Sequence, residues 1–155
     1  MLVPFVPTPP EVAREMLRCA DANENDVVLD LGSGMGAILN VAKKEFKVKL
    51  AIGVELDKKL SFVSYQENNR DVEIICGDMI SLAPVLLPRA TILVSYLSTR
   101  TNEIIEPYIL GYAKKGAKVI SHDFQFQKLD LVKVKRITAM GFFGPTEHTI
   151  YCYKI

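Results

Sequence analysis

The sequence predicts an α/β fold, a doubly wound parallel sheet closed by an antiparallel hairpin, and three observations predict it. Apolar runs of strand length alternate with stretches of helical period along most of the chain. The first such run, Val27–Leu31, carries an acid near its end and leads into Gly32-Ser33-Gly34-Met35-Gly36, with helix-forming sequence beyond. The last two runs, Leu131–Thr138 and His148–Ile155, are separated only by an aromatic and glycine-rich turn, Gly141-Phe142-Phe143-Gly144-Pro145.

The elements follow in order. Thr8-Pro9-Pro10-Glu11 reads as a helix start, with Thr8 as cap, Pro9 in the first helical position and Glu11 completing a capping box. Val12, Ala13, Met16, Leu17 and Ala20 then form an apolar face at helical spacing. After the first strand a helix runs from Met35 or Gly36 to Phe46, with Lys43, Lys44 and Lys47 near its negative end. Lys49–Glu55 is the second strand and Leu56–Asn68 the next helix, with Asp57 as its cap. Val72–Cys76 is a third strand and Thr91–Leu97 a buried fourth; between them Ser81–Leu87, interrupted by Pro84 and followed by Pro88, is ambiguous. Ile104, Ile105, Tyr108, Ile109 and Tyr112 mark a helix, with Pro107 expected in its first turn or at a break. Ala117–Phe124 is the fifth strand, and only Gln125–Asp130 separates it from the sixth, too little for another helix.

At 155 residues the chain has the size of one domain, residues 1–155, without internal repeat or linker. Nineteen basic and 18 acidic residues leave a net charge of +1, so the electrostatic footprint of a nucleic-acid binder is missing. Cys19, Cys76 and Cys152 are odd in number, widely spaced and set in apolar contexts. They read as three core thiols, with neither a disulfide framework nor a cysteine-based metal site; no metal is expected. No leader and no membrane span is expected at Met1-Leu2-Val3-Pro4 or beyond, so a soluble cytoplasmic protein is the default, with a monomer as the default state.

The glycine loop carries the chemistry. Glycines let the backbone turn tightly and approach a ligand, and the following helix offers unpaired N–H groups to an anion. Gly32, Gly34 and Ala37 match the dinucleotide spacing formally, with Glu55 at a plausible distance, so the glycines alone leave two ligand classes open. Asp30 lies where a carboxylate meets a cation and would repel a pyrophosphate; Gly36 completes Gly-x-Gly-x-Gly; and Asp78 in Cys76-Gly77-Asp78-Met79 follows the third strand. Acids after strands one, two and three suit the ammonium, ribose diol and adenine amine of S-adenosylmethionine. An acid at a strand end also serves as a helix cap, which is the bland reading of Asp57 or Asp78 alone.

At these residues the chain resembles the class I S-adenosylmethionine-dependent methyltransferases, from Glu11 to the last strand. The resemblance implies a Rossmann-like seven-stranded sheet of order 3-2-1-4-5-7-6 with Leu131–Thr138 at an edge, where Lys133 and Lys135 discourage pairing with other chains. It also implies roles. Asp30 with Gly32, Ser33, Gly34 and Gly36 would hold the methionine part of the cofactor, Glu55 and Leu56 the ribose, and Asp78 with Met79 the adenine.

The acceptor belongs at the end of the fourth strand, Val94-Ser95-Tyr96-Leu97-Ser98. This is not the Asp/Asn-Pro-Pro-Tyr of enzymes that methylate base or glutamine amides. Ser95 and Tyr96 could instead position a free amine, through a hydroxyl or a ring face, though a strand end packed into the core explains either alone. Pro4-Phe5-Val6-Pro7-Thr8-Pro9-Pro10-Glu11-Val12, with the Asp30–Gly34 loop and Gly53-Val54-Glu55-Leu56, resembles the small archaeal protein-lysine methyltransferases, relatives of the mitochondrial enzyme acting on ATP synthase subunit c. There the proline-rich segment covers the cofactor, which makes Phe5, Val6 and Thr8 candidates beside Ser95 and Tyr96. Met35 and Ala37 depart from the Asp and Arg common in relatives, and Phe5 from Tyr.

The expected function is methyl transfer to lysine side chains of protein substrates; a methyltransferase for RNA or a small molecule is the alternative, with a binding-only domain and a dinucleotide oxidoreductase behind it. His122-Asp123 lies near the end of strand five and His148 in the last strand; neither histidine is assigned a catalytic role. Phe142 and Phe143 could touch a partner, but folding back onto the core is the favoured reading.

Overall fold

The computed structural model describes residues 6–67, 71–141 and 143–155. Its seven strands are β1 (Val27–Leu31), β2 (Leu50–Glu55), β3 (Glu73–Cys76), β4 (Ile92–Ser95), β5 (Lys118–His122), β6 (Asp130–Gly141) and β7 (Gly144–Lys154). They form one sheet in the order β3-β2-β1-β4-β5-β7-β6. Strands β1 to β5 are parallel, and β7 lies antiparallel between β5 and β6. The order and the reversed hairpin are those expected from the sequence.

Alternation along the strands divides the core between the two faces. Val28, Ala51, Ile92, Val94, Ile120 and Ile150 face α1 (Pro10–Cys19) and α2 (Ala37–Lys44), whose Val12, Met16, Leu17, Ile38 and Leu39 are buried there. Leu29, Leu31, Ile52, Val54, Leu93 and Val119 face the other way, where α4 (Met79–Leu86) and α5 (Thr99–Tyr112) contribute Ala83, Leu86, Ile105 and Ile109. Helix α3 (Lys58–Glu67) follows β2, with Asp57 Oδ1 accepting from the Leu60 N–H as the expected cap. The expected end of that helix at Asn68 lies outside the described residues.

Several expectations are corrected. Thr8 does not cap α1: Pro9 is the cap residue, no side-chain cap bond forms, and the Thr8 hydroxyl is turned to His122 Nδ1 at 3.1 Å. The ambiguous stretch after β3 is α4, started by Asp78 and continued through Pro84 into a single 3-10 turn, Leu87–Arg89. Pro107 sits inside the unbroken α5. The carbonyl it leaves unpaired, four residues back, belongs to Glu103, and both residues are on the exposed side where water can replace the bond.

The cysteine reading fails as well. Cys19, at the end of α1, is disulfide-bonded to Cys152 of β7, and Cys76 is exposed. The two partners stand 133 residues apart, and only the placement of β7 beside β5 on the α1 face brings them together. The closing hairpin is longer than expected, pairing Gly141 with Gly144 across a two-residue tip. Phe143 at that tip is 95% exposed rather than folded onto the core, and Phe142 lies outside the described residues.

Candidate active site

The carboxyl ends of β1, β2, β4 and β5 open onto a cavity of about 430 Å3. Gly32, Ser33 and Gly34 form its floor after β1, Ala37 and Ile38 its side at the start of α2, and Glu55 its edge at the end of β2. Tyr96, Leu97 and Ser98 follow β4, Thr101 opens α5, and Phe124 follows β5. Val6, Pro7 and Thr8 close it from the segment before α1. In an open α/β sheet this is where loops diverge and ligands bind.

The loop is built for close approach. Gly32, Gly34 and Gly36 all have positive φ, at 91°, 56° and 78°. A Cβ at Gly32 would stand 2.8 Å from Leu97 Cδ2, so any other residue would be both strained and in collision. Glu55 ties the loop to β2: its Oε1 accepts from the Gly34 N–H at 2.9 Å and its Oε2 from the Asp57 N–H at 2.8 Å.

Asp30 is 3% exposed at the end of β1, and its carboxyl is pushed up to about 7, first by burial and then by the charge of Glu55. Its Oδ1 has no hydrogen-bond partner among the described residues, and neither have the buried hydroxyls of Ser33 and Ser95. Buried acceptors and hydroxyls rarely go unpaired. Asp30 and Ser33 line the cavity, where they suit a ligand that brings its own charged and donor groups.

The far wall is aromatic. The Tyr96 ring stacks on His122, with centroids 4.0 Å apart and planes at 27°, and on Phe124 at 6.0 Å. Burial, with a smaller push from Asp123, holds the Tyr96 phenol above its usual range, so it stays neutral. His122 is buried and pushed down to about 4, chiefly by burial, which Asp123 opposes and His148 reinforces. It is therefore a neutral ring at neutral pH.

The candidate residues divide. Val6, Thr8, Asp30, Gly32, Ser33, Gly34, Glu55 and Tyr96 come together on the cavity. Ser95 is 2% exposed and is not part of the cavity wall. Gly36 caps α2, Leu56 is 71% exposed, and neither is on the wall. Asp78 is the cap of α4, accepting from the N–H groups of Ile80 and Ser81 and from the Ser81 hydroxyl. Met79 starts that helix, its Cε 3.4 Å from where a Cβ on Gly32 would be. Phe5 lies outside the described residues. Leu60, Leu97, Ser98, Thr101 and Phe124 were given no role in the sequence; Leu97, Ser98 and Phe124 stand two or three residues past the ends of β4 and β5, a position that marks them, whereas Leu60 and Thr101 lie in α3 and α5.

Comparison with known proteins decides the family. The family described as "Histone methylation protein DOT1" matches residues 7–76. A protein of Saccharolobus islandicus (strain REY15A) named protein-lysine N-methyltransferase is 34% identical over 158 residues, covering 99% of this chain and 94% of the relative. The chain belongs to the protein-lysine N-methyltransferase family. A crystal structure of an RNA methyltransferase from Salinibacter ruber, in complex with S-adenosyl-L-homocysteine, is similar at a TM-score of 0.83 and 28% identity, covering 97% and 94% of the two chains. An O-methyltransferase from Bacillus cereus, at a TM-score of 0.69 and 10% identity over 97% and 84%, shares the fold. The family places the chain among S-adenosylmethionine-dependent class I methyltransferases.

Proposed function

We propose that the chain transfers the methyl group of S-adenosylmethionine to lysine amines of protein substrates. The full-length identity to a protein-lysine N-methyltransferase is the observation that carries this reading. In it, Asp30 and the Ser33 hydroxyl hold the amino acid end of the cofactor, Glu55 and Leu56 its ribose, and Met79, beside the Asp78 cap, its adenine. The cofactor brings the activation, a methyl group on a sulfonium.

What remains for the chain is alignment and exclusion of water. Tyr96 and Phe124 supply ring faces against which a cationic or neutral amine can be held. Thr8 and Val6 close the cover. Among the described residues no domain is inserted between strands to enclose a small substrate, so the opening suits a side chain offered by a larger molecule. A soluble, cytoplasmic and monomeric enzyme of archaeal type fits this reading; among the described residues no helix is long and apolar enough to cross a membrane.

The likeness to an RNA methyltransferase favours RNA as the second reading. A net charge of +1 speaks against it, because phosphate neutralisation drives most nucleic-acid binding. The two are separated by incubating the chain with methyl-labelled S-adenosylmethionine and cell extract, then dividing the product between protease and nuclease. Label released by protease and recovered as methyl-lysine supports the proposal; label released by nuclease overturns it.

A further inference from the structure

Behind the aromatic wall, the ends of β5 and β7 bring two histidines and an aspartate together. His122 pairs across the sheet with Ile150, so His148, two residues on, projects from the same face. Asp123 should point the opposite way from His122. Instead its φ is 64°, an uncommon conformation for a residue other than glycine, and the carboxylate swings back to the histidines.

The three facing atoms are close. His122 Nε2 and His148 Nδ1 share a hydrogen bond at 2.8 Å, whose proton an entering ion would displace to solvent; Asp123 Oδ2 lies 3.4 Å from the first and 3.9 Å from the second. A triangle with those sides has a circumscribed radius of about 2.0 Å, which matches zinc–nitrogen and zinc–oxygen bonds. Each of the three side chains is also held from behind. His122 Nδ1 bonds the Thr8 hydroxyl at 3.1 Å, His148 Nε2 the Thr146 hydroxyl at 2.9 Å, and Asp123 Oδ1 accepts from the Thr149 N–H at 2.9 Å. That is the arrangement by which outer partners fix ligand orientation in metal sites.

We propose that His122, Asp123 and His148 form a binding site for a zinc-class divalent ion, with a fourth position left to solvent. Two imidazoles and a carboxylate are a donor set for such ions rather than for calcium or magnesium, which take oxygen ligands. Asp123 and His148 are partly exposed and give the ion a way in from solvent. The ion clamps β5 to β7 and fixes the His122 ring, on which Tyr96 stacks and from which Thr8 is held, so it stiffens the wall and cover of the cavity together.

The test needs no methyl acceptor. Full-length chain stripped with chelator is titrated with cobalt(II) alone, whose tetrahedral complexes absorb strongly in the visible. One equivalent should bind with intense bands, and zinc(II) should displace it. The bands should disappear in His148→Ala and in Asp123→Asn, with circular dichroism confirming that both variants fold. Thr146→Val should weaken cobalt binding by about ten- to a hundredfold. Cys76→Ser, which removes the exposed thiol, should leave the spectrum unchanged. Absence of bands, or bands that survive in His148→Ala or vanish in Cys76→Ser, would overturn the site.

Discussion

If Asp30 meets the cofactor amine as proposed, both stability and cofactor affinity should depend on pH, in opposite senses. Its carboxyl is raised from an ordinary 3.8 to about 7 by burial, with Glu55 adding to it. Between those values the folded chain keeps a proton that the unfolded chain has released. The state that binds more protons loses ground as pH rises, so the ligand-free chain becomes less stable from about pH 4 to about pH 7. At about 1.4 kcal/mol per unit, the full cost is on the order of 4 kcal/mol. A ligand with a cationic amine reverses the sense. It binds the ionised carboxylate, so below pH 7 each bound ligand must drive off a proton. Affinity should then rise about tenfold per pH unit up to 7, level off, and fall once the ligand's own amine loses its proton near about 8.

Calorimetry with S-adenosylhomocysteine from pH 5.5 to 8, in buffers of different ionisation heats, reads both the affinity and the proton released. Asp30→Asn should bind weakly, release no proton and lose the slope. Urea melts of the ligand-free chain should show the stability fall in the wild type and not in the variant. A flat affinity in the wild type, or the same slope in Asp30→Asn, would refute the assignment of Asp30 to the amine.

Three further outcomes are expected. Reducing the Cys19–Cys152 bond releases a loop of more than a hundred residues, and chain entropy puts the loss at roughly 3–5 kcal/mol; denaturant midpoints that do not move with reductant would contradict it. Gly53→Ala puts a Cβ 2.5 Å from Ser33 Oγ and 2.8 Å from Leu39 Cδ1, so it should cost about 1–3 kcal/mol in a urea melt and weaken cofactor binding through the loop. Glu55→Ala leaves the Gly34 and Asp57 N–H groups without their partner and should lower cofactor affinity at least tenfold by calorimetry, whereas unchanged affinity would remove Glu55 from the site.

Much of this molecule was legible because its signals are local. The strands read from apolar runs, the loop from its glycines and Asp30, and the hairpin from the glycine-rich turn between the last two runs. What escaped depends on contacts distant in sequence. The disulfide joins the end of α1 to β7, and no spacing rule relates Cys19 to Cys152. His122 and His148 meet only through antiparallel register, and Asp123 joins them only through a positive φ that its sequence does not announce. Thr8 had two partners available, a helix end next to it and a histidine 114 residues away, and the distant one won. Asp78 shows the reverse: the local capping role is the one its hydrogen bonds fulfil.

The most direct measurement is a crystal structure of the chain with S-adenosylhomocysteine. The account predicts the amino group against Asp30 Oδ1, the ribose against Glu55, and the sulfur facing Tyr96, where the methyl leaves toward an incoming lysine. A ligand seated elsewhere, or in this cavity with its sulfur turned away from Tyr96, would contradict it.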